Sequence, residues 1–143
     1  MDYTLRVNRA IDHIVRNLAR PLRLQEVSEA ACFSPFHFHR VFKALLGETL
    51  NQFVKRQRLE RALYLMSHAP KRSLTDVALD CGFESSSDFS RSFKQHYGAA
   101  PSVFDLQTFR NSRREEFERV LASQEDLLAS RPCRQARTRT ASR

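Results

Sequence analysis

The chain has 143 residues, which is room for one ordinary domain and an extension. Hydrophobic residues make up 41% and charged residues 28%, a globular composition, while only 3 Gly argues against a turn-rich β-fold. The net charge of +8, from 24 Lys and Arg against 16 Asp and Glu, predicts attraction to polyanions, nucleic acid before anionic membrane.

The sequence also indicates the cellular compartment of the protein. It has no export signal at its start, and no stretch approaches the ~20 apolar residues that a membrane span needs. Its 3 cysteines form no CxxC pair, and an odd number of them is typical of reduced thiols. We therefore expect a protein that stays in the compartment where it is made, the cytoplasm, which contains DNA.

Apolar residues recur at helical spacing along most of the chain, and prolines and glycines interrupt the pattern. Pro21 ends the first helix, because the residue before a proline is pushed out of the α region. Gly47, Gly82 and Gly98 are the stops of later helices. The predicted fold class is all-α with about seven helices and no strand. These helices are expected at residues 3–19, 24–31, 34–46, 49–67, 73–81 and 85–97, followed by a short turn or helix at 101–107.

An internal duplication organises this helical chain. The segment Leu24-Gln-Glu-Val27 matches Leu74-Thr-Asp-Val77 fifty positions later. After a one-residue difference in the turn, six further positions match at an offset of fifty-one: Ser34, Phe38, Arg40, Phe42, Lys43 and Gly47 with Ser85, Phe89, Arg91, Phe93, Lys94 and Gly98. Each copy is a short helix, a tight turn and a longer helix, the form of a helix-turn-helix. We call residues 24–47 unit one and residues 74–98 unit two.

The longer helix of each unit has two opposite faces. One face is predicted to be core: Phe38, Val41, Phe42 and Leu45 in unit one, and Phe89, Phe93 and His96, with Tyr97 beside them, in unit two. The other face is polar and basic, and in unit one it also carries an aromatic side chain. We call it the outward stripe: Phe36, His39, Arg40 and Lys43 in unit one, and Ser87, Ser90, Arg91 and Lys94 in unit two.

The outward stripes have the chemistry of a DNA-reading surface. A guanidinium can donate two hydrogen bonds to guanine O6 and N7, so Arg40 and Arg91 fit a major groove. Lys43 and Lys94 lie one turn further along and suit phosphates. The serines at the helix starts offer hydroxyls beside free backbone N–H groups, which fits either phosphate binding or ordinary N-capping.

The residues from Gly82-Phe-Glu-Ser-Ser-Ser-Asp-Phe-Ser-Arg-Ser-Phe-Lys to Tyr97-Gly98 and Pro101-Ser102 closely resemble the signature of the AraC/XylS family of bacterial transcription regulators. Ser34-Pro-Phe-His-Phe-His-Arg-Val-Phe-Lys, followed by Gly47 and Arg58, resembles the first unit of that family, most of all in members whose DNA-binding domain comes first. The resemblance implies two helix-turn-helix subdomains joined by a long linker helix at 49–67. Their recognition helices would enter successive major grooves of an asymmetric site.

Carried over position by position, the resemblance assigns candidate contacts to both units. Asp88 keeps two interpretations, acceptance of a hydrogen bond from cytosine N4 or capping of its own helix. The base-contact candidates are Phe36, His39, Arg40, Ser87, Asp88 and Arg91. The phosphate-contact candidates are Ser34, Lys43, Arg56, Ser85, Ser86 and Lys94.

Three residues depart from the family pattern. Cys32 stands where a turn glycine is common, which costs on the order of 1 kcal/mol if the backbone there needs a positive φ. Arg23 stands where a Ser or Thr cap is usual, and Asp105 where the closing motif commonly has a basic residue.

The predicted domains are residues 3–107 as the double helix-turn-helix, 108–130 as a helical extension, and 131–143 as a basic tail that we expect to be disordered.

Other function classes are disfavoured. No Gly-rich phosphate loop, nucleophile elbow or isolated carboxylate pair is present, so an enzyme is not expected. No cofactor or metal is expected either, because His37 and His39 fall on different sides of a helix and no further ligand joins them.

The main hypothesis is therefore a DNA-binding regulator, an activator that contacts RNA polymerase. It would bind double-stranded DNA as a monomer or as a dimer through a further domain, and it would not bind membranes. One alternative is a helical interaction module that uses residues 110–143. Another is a ligand-sensing regulator, although this chain has no second domain of the size that effector binding needs.

Overall fold

The computed structural model describes residues 2–129, and within that range it contains seven helices and no strand. The predicted all-α class is therefore confirmed. None of these helices is both long and apolar enough to cross a membrane. The helices are α1 (Tyr3–Arg16), α2 (Leu24–Ala30), α3 (Pro35–Leu46), α4 (Leu50–His68), α5 (Leu74–Asp80), α6 (Ser86–Tyr97) and α7 (Leu106–Ala129).

The last helix, α7, covers nearly all of the predicted helical extension at 108–130 and begins two residues before it. Residues 101–103 form a turn, and α7 begins at Leu106 because Asp105 caps it: the Asp105 carboxylate accepts from the backbone N of Gln107 at 3.0 Å and of Thr108 at 3.1 Å. The Thr108 hydroxyl also donates to it at 2.6 Å, and these hydrogen bonds lower the pKa of Asp105. Asp105, which departs from the family pattern, is thus the N-cap of α7.

The chain divides into two compact bodies after Phe104. The predicted border between residues 107 and 108 falls inside α7, which belongs wholly to the second body. The predicted disorder of residues 131–143 concerns a segment outside the described residues.

The first core is built by unit one together with α1 and the start of α4. In α1 the buried residues Val7, Ala10 and Ile14 recur at helical spacing. They cluster with Phe38 and Phe42 of α3, both fully buried. The prediction that Leu45 belongs to this core is wrong, since its side chain is 51% exposed. The α4 contribution to the cluster is Leu50, Phe53 and Val54.

Unit two has its own buried aromatic residues. Phe89 and Phe93 of α6 are fully buried, with ring centroids 5.7 Å apart, and Phe83 lies 5.1 Å from Phe89. The prediction that His96 joins this face is wrong, because its side chain is exposed; Ser92 is buried instead. In α4, a second group of buried residues follows the first: Leu59, Ala62 and Met66. The linker helix therefore contributes buried side chains along its whole length.

The turns of the two units have the same backbone hydrogen bonds. Cys32 N donates to Glu29 O at 2.9 Å, and Gly82 N donates to Leu79 O at 3.1 Å. Cys32 has φ 58°, and it is the only non-glycine residue with a positive φ among the described residues; Gly82 has φ 92°. The backbone at Cys32 is therefore in the left-handed region, the conformation that explains why a glycine is common at this position of the family.

Replacing Cys32 by glycine should stabilise the chain by up to about 1 kcal/mol, because the left-handed cost of a Cβ is removed while glycine adds some unfolded-state entropy. Chemical denaturation measures the change in the free energy of unfolding. Cys32→Ser, which keeps a Cβ, is the control and should leave stability nearly unchanged. A loss of stability in Cys32→Gly would contradict this explanation.

The starts of α2 and α5 are stabilised differently. Ser73 caps α5 by accepting from Asp76 N at 3.1 Å, whereas Arg23 precedes α2 without a side-chain cap. There the Glu26 carboxylate accepts from Arg23 N at 2.9 Å and receives two hydrogen bonds from the Arg20 guanidinium, at 3.0 and 2.9 Å. The hydrogen bonds from Arg20 are the main cause that lowers the pKa of Glu26 to about 2. Hydrogen bonds to Glu26 therefore connect the loop between α1 and α2 to the first turn of α2.

Candidate nucleic-acid interface

The candidate interface begins at the N-termini of α3 and α6. Ser34 precedes α3 and accepts from His37 N at 3.3 Å, and Ser85 precedes α6 and accepts from Asp88 N at 3.1 Å. Both serines are exposed N-caps, so this part of the alternative interpretation is correct. Capping uses the hydroxyl oxygen as an acceptor and leaves its O–H free to donate to an anion.

Both helices also end in the same way. Gly47 and Gly98 are the C-caps, in the left-handed region with φ 72° and 86°. Each helix has 12 residues and fully buries two phenylalanines one turn apart. The matched caps and matched buried pairs fix the same rotational setting for both helices on their respective cores.

The outward stripe of unit one is solvent-exposed. Phe36 has a 73% exposed side chain, and His39, Arg40 and Lys43 are exposed as well. The Arg40 guanidinium lies 5.8 Å from the centroid of the Phe36 ring, a distance at which a cation is attracted to an aromatic face. The aromatic side chain therefore helps to orient Arg40 while both remain accessible.

In unit two the stripe is smaller and more polar. Ser87, Arg91 and Lys94 are exposed, and Ser90 is half-buried. Ser86, the first residue of α6, is half-buried. The structure therefore brings the two predicted Arg–Lys pairs to the solvent at equivalent positions of the two units.

Asp88 is a half-buried residue in the first turn of α6. Ser85 caps this helix, so the interpretation of Asp88 as the cap is wrong; a carboxylate in the first turn instead complements the helix dipole. Its charge also acts on Arg58, where it opposes the larger effect of burial, which lowers the pKa of Arg58. The carboxylate thus has a basic neighbour on α4.

Arg56 differs from the other phosphate candidates because carboxylates already hold it. Its guanidinium lies 2.6 Å from Glu48 Oε1 and 3.1 Å from Glu60 Oε1, and the hydrogen bond from Glu48 is the main cause that raises the pKa of Arg56. A phosphate could be bound only in exchange for one of these partners. Among the six phosphate candidates, Arg56 therefore has the least direct support from its geometry.

Arg58 is a residue whose importance the sequence did not show. It donates from Nε to the carbonyl oxygen of Leu18 at 3.0 Å and from Nη2 to that of Arg20 at 2.9 Å. The resemblance places an arginine here, but its acceptors are backbone atoms 40 and 38 residues away, which no local pattern reveals.

The comparisons with known proteins agree with this architecture. Residues 27–107 match a family of helix-turn-helix domains. A crystal structure of a transcriptional regulator from Chromobacterium violaceum, described as containing an AraC-type DNA-binding domain, superimposes with a TM-score of 0.65 at 26% identity, over 68% of this chain and 87% of that one. The chain belongs to the AraC-type helix-turn-helix family. The predicted resemblance is confirmed, and membership of this family of regulators agrees with the expectation that the chain is not an enzyme.

Two further comparisons define the extent of the likeness. The probable transcriptional regulator LumQ of Photobacterium leiognathi is 35% identical over 95 residues, 66% of this chain and 38% of LumQ. The DNA-binding domain of the global transcriptional factor AdpA, solved with a target DNA, has a TM-score of 0.65 at 23% identity over 76% of this chain and 96% of that one, which shows the fold. The chain spans little more than a third of the length of the first curated relatives it matches.

Proposed function

We propose that this chain binds DNA sequence-specifically as a transcription regulator and reads two successive major grooves with α3 and α6. The observation that carries the proposal is the pair of exposed Arg–Lys stripes, Arg40 with Lys43 and Arg91 with Lys94, each opposite a fully buried Phe pair. A surface that served only solvation would have no reason to repeat this arrangement in register in both units. The net charge of +8 favours a polyanionic partner.

Base reading is assigned to the outward side chains. Arg40 and Arg91 donate to guanine, and Phe36 offers an apolar contact for a thymine methyl group. His39 and Ser87 have hydrogen-bonding atoms for base edges, and Asp88, the remaining base-contact candidate, would accept from cytosine N4. Both units thus have a cationic reader, and only unit one adds an apolar one.

Phosphate contacts position the helices. Ser34 and Ser85 lie at helix N-termini, where backbone N–H groups and the helix dipole favour an anion. Ser86 adds a hydroxyl beside Ser85. Lys43 and Lys94 lie further along α3 and α6 and supply point charges. Arg56 would contribute a contact only after it exchanges a carboxylate for phosphate.

A competition and salt titration tests the proposal. The three cationic phosphate candidates, Lys43, Arg56 and Lys94, predict a slope of about −3 when log affinity is plotted against log salt. A duplex selected from a random pool should bind far more tightly than heparin at equal charge concentration. Equal competition by heparin would contradict sequence-specific binding.

A second candidate function, a helical interaction module, is favoured by the exposed apolar residues of α7. The exposed fractions are 63% for Phe117, 49% for Val120 and 42% for Leu121. Such a module would bind a protein partner and show no preference for duplex DNA over heparin. The same competition experiment therefore separates the two candidates.

Activation, contact with RNA polymerase and a cytoplasmic, nucleoid-associated location stay predictions. A transcription assay with purified polymerase and a promoter that carries the selected site should show more transcript on addition of the protein. The predicted state on DNA is a monomer, or a dimer through a further domain. Sedimentation of the complex with one site distinguishes these states.

A further inference from the structure

The loop between α1 and α2 is the meeting point of unit one, the linker helix and unit two. Arg58 of α4 donates to the carbonyl oxygens of Leu18 and Arg20 in this loop, at 3.0 and 2.9 Å. Leu18 is only 4% exposed and belongs to the unit-one core. The loop is also held by the two hydrogen bonds from Arg20 to Glu26. Arg58 therefore binds a loop that the unit-one core and the Arg20–Glu26 hydrogen bonds already hold in place.

The turn of unit two contacts the same carbonyl group. A Cβ placed on Gly82 would lie 2.9 Å from Arg58 Nε and closer still to the Leu18 carbonyl oxygen. The bare backbone of Gly82 therefore lies directly against this oxygen. Leu18 O is in contact with the linker helix through Arg58 and with unit two through Gly82.

The most extensive helix contacts are between neighbours along the chain, so α4 is the helix that both units share. The pairs are α1 with α2, α2 with α3 and α3 with α4 on one side, and α4 with α5 and α5 with α6 on the other. A single shared helix leaves bending and twisting between the units comparatively unrestrained. The contact at Leu18 is a further attachment, which joins unit two to the loop before α2, and two attachments restrict rotation more than one does.

We infer that Arg58 is a positioning residue which, with the Leu18 carbonyl and Gly82, sets the orientation of α6 relative to α3 and so restricts the chain to one spacing of its two half-sites. This inference rests on the proposed reading of two grooves. One inserted base pair moves a half-site by about 3.4 Å and rotates it by about 34°, since the duplex repeats in about 10.5 base pairs. Units held rigidly cannot follow such a change, whereas loosely joined units can.

The first test compares Arg58→Met with Arg61→Met, a matched loss of one charge at an exposed position of the same helix. Affinities are measured for a selected site and for versions with one base pair inserted or deleted between the half-sites. The unaltered chain and Arg61→Met should lose at least about 10-fold on altered spacing, and Arg58→Met less than about 3-fold. Equal discrimination in a folded Arg58→Met variant would overturn the inference and leave the proposed function standing.

The second test needs no DNA. Spin labels are attached to cysteines introduced at Gln25 and Thr75, exposed and equivalent positions of α2 and α5, after Cys32 and Cys133 are changed to serine. Arg58→Met should broaden the distance distribution between the labels, while Arg61→Met should not. If Arg58→Met does not fold, Arg58→Lys replaces it in this test. A lysine ammonium cannot reproduce the two parallel donors of the guanidinium, so this variant should broaden the distance distribution to an intermediate extent.

The two tests separate the inference from the function it rests on. If the unaltered chain binds DNA without any spacing preference, the two-groove reading is overturned, and with it the effect on spacing. An unchanged label distribution in Arg58→Met or Arg58→Lys overturns the positioning role itself. Broadening together with relaxed spacing supports the inference.

Discussion

Replacing Gly82 by alanine should destabilise the chain by about 2–5 kcal/mol. Two costs add: about 1–2 kcal/mol for a Cβ in the left-handed region, and about 1–3 kcal/mol for forcing an atom into occupied space. Gly82 has φ 92°, and its Cβ would meet the backbone of Leu18 and the Arg58 side chain. A backbone carbonyl cannot swing aside as a flexible side chain can, so the junction has to open.

Gly47→Ala is the matched control for this prediction. Gly47 has φ 72°, but no atom lies within 4 Å of the position of an added Cβ. Its loss should be only the left-handed cost of about 1–2 kcal/mol. Chemical denaturation of both variants gives the difference, which isolates the contact at Leu18. Equal losses would show that the close approach at Gly82 has no energetic consequence.

Changing Arg40 or Arg91 to alanine should weaken binding to the cognate site by about 1–3 kcal/mol each, or about 5- to 150-fold in Kd. The loss comes from a bidentate donor that a guanine edge would otherwise engage. Both side chains are exposed, so neither change should disturb the helical content. The two losses should be roughly additive, because the residues contact different grooves.

Arg61→Ala is the control for charge, since it removes one exposed cation from α4 and none from a stripe. It should reduce affinity by much less and by the same factor on cognate and random duplexes. Gel-shift titrations with circular dichroism of each variant provide the comparison. Unaltered affinity in both Arg40→Ala and Arg91→Ala would refute the assignment of the stripes.

Much of the fold follows from local chemistry. The buried positions Phe38, Phe42, Phe89 and Phe93 were predicted correctly, because the helical period fixes which side chains share a face. The helix starts at Ser34, Ser85 and Thr49 were predictable for a similar reason, since capping involves atoms only two or three positions apart. The cap at Asp105 is equally local, because its carboxylate accepts from backbone N atoms two and three positions further along.

The errors arise where the outcome depends on distant atoms. Leu45 and His96 share a stripe with the buried phenylalanines, but a helical wheel does not show whether another element covers the last turn of a helix. Arg56 has an ordinary basic position in the sequence, and only the fold brings Glu48 within 2.6 Å of it. The partners of Arg58 are likewise backbone atoms far away in the chain.

The most direct test of the central claim is selection of bound duplexes from a random pool with three proteins: the unaltered chain, Arg40→Ala and Arg91→Ala. The unaltered chain should yield two sequence blocks with centres about 10 base pairs apart. Arg40→Ala should lose preference in one block and Arg91→Ala in the other. A single block, or loss of the same block in both variants, would contradict reading by two helices in two grooves.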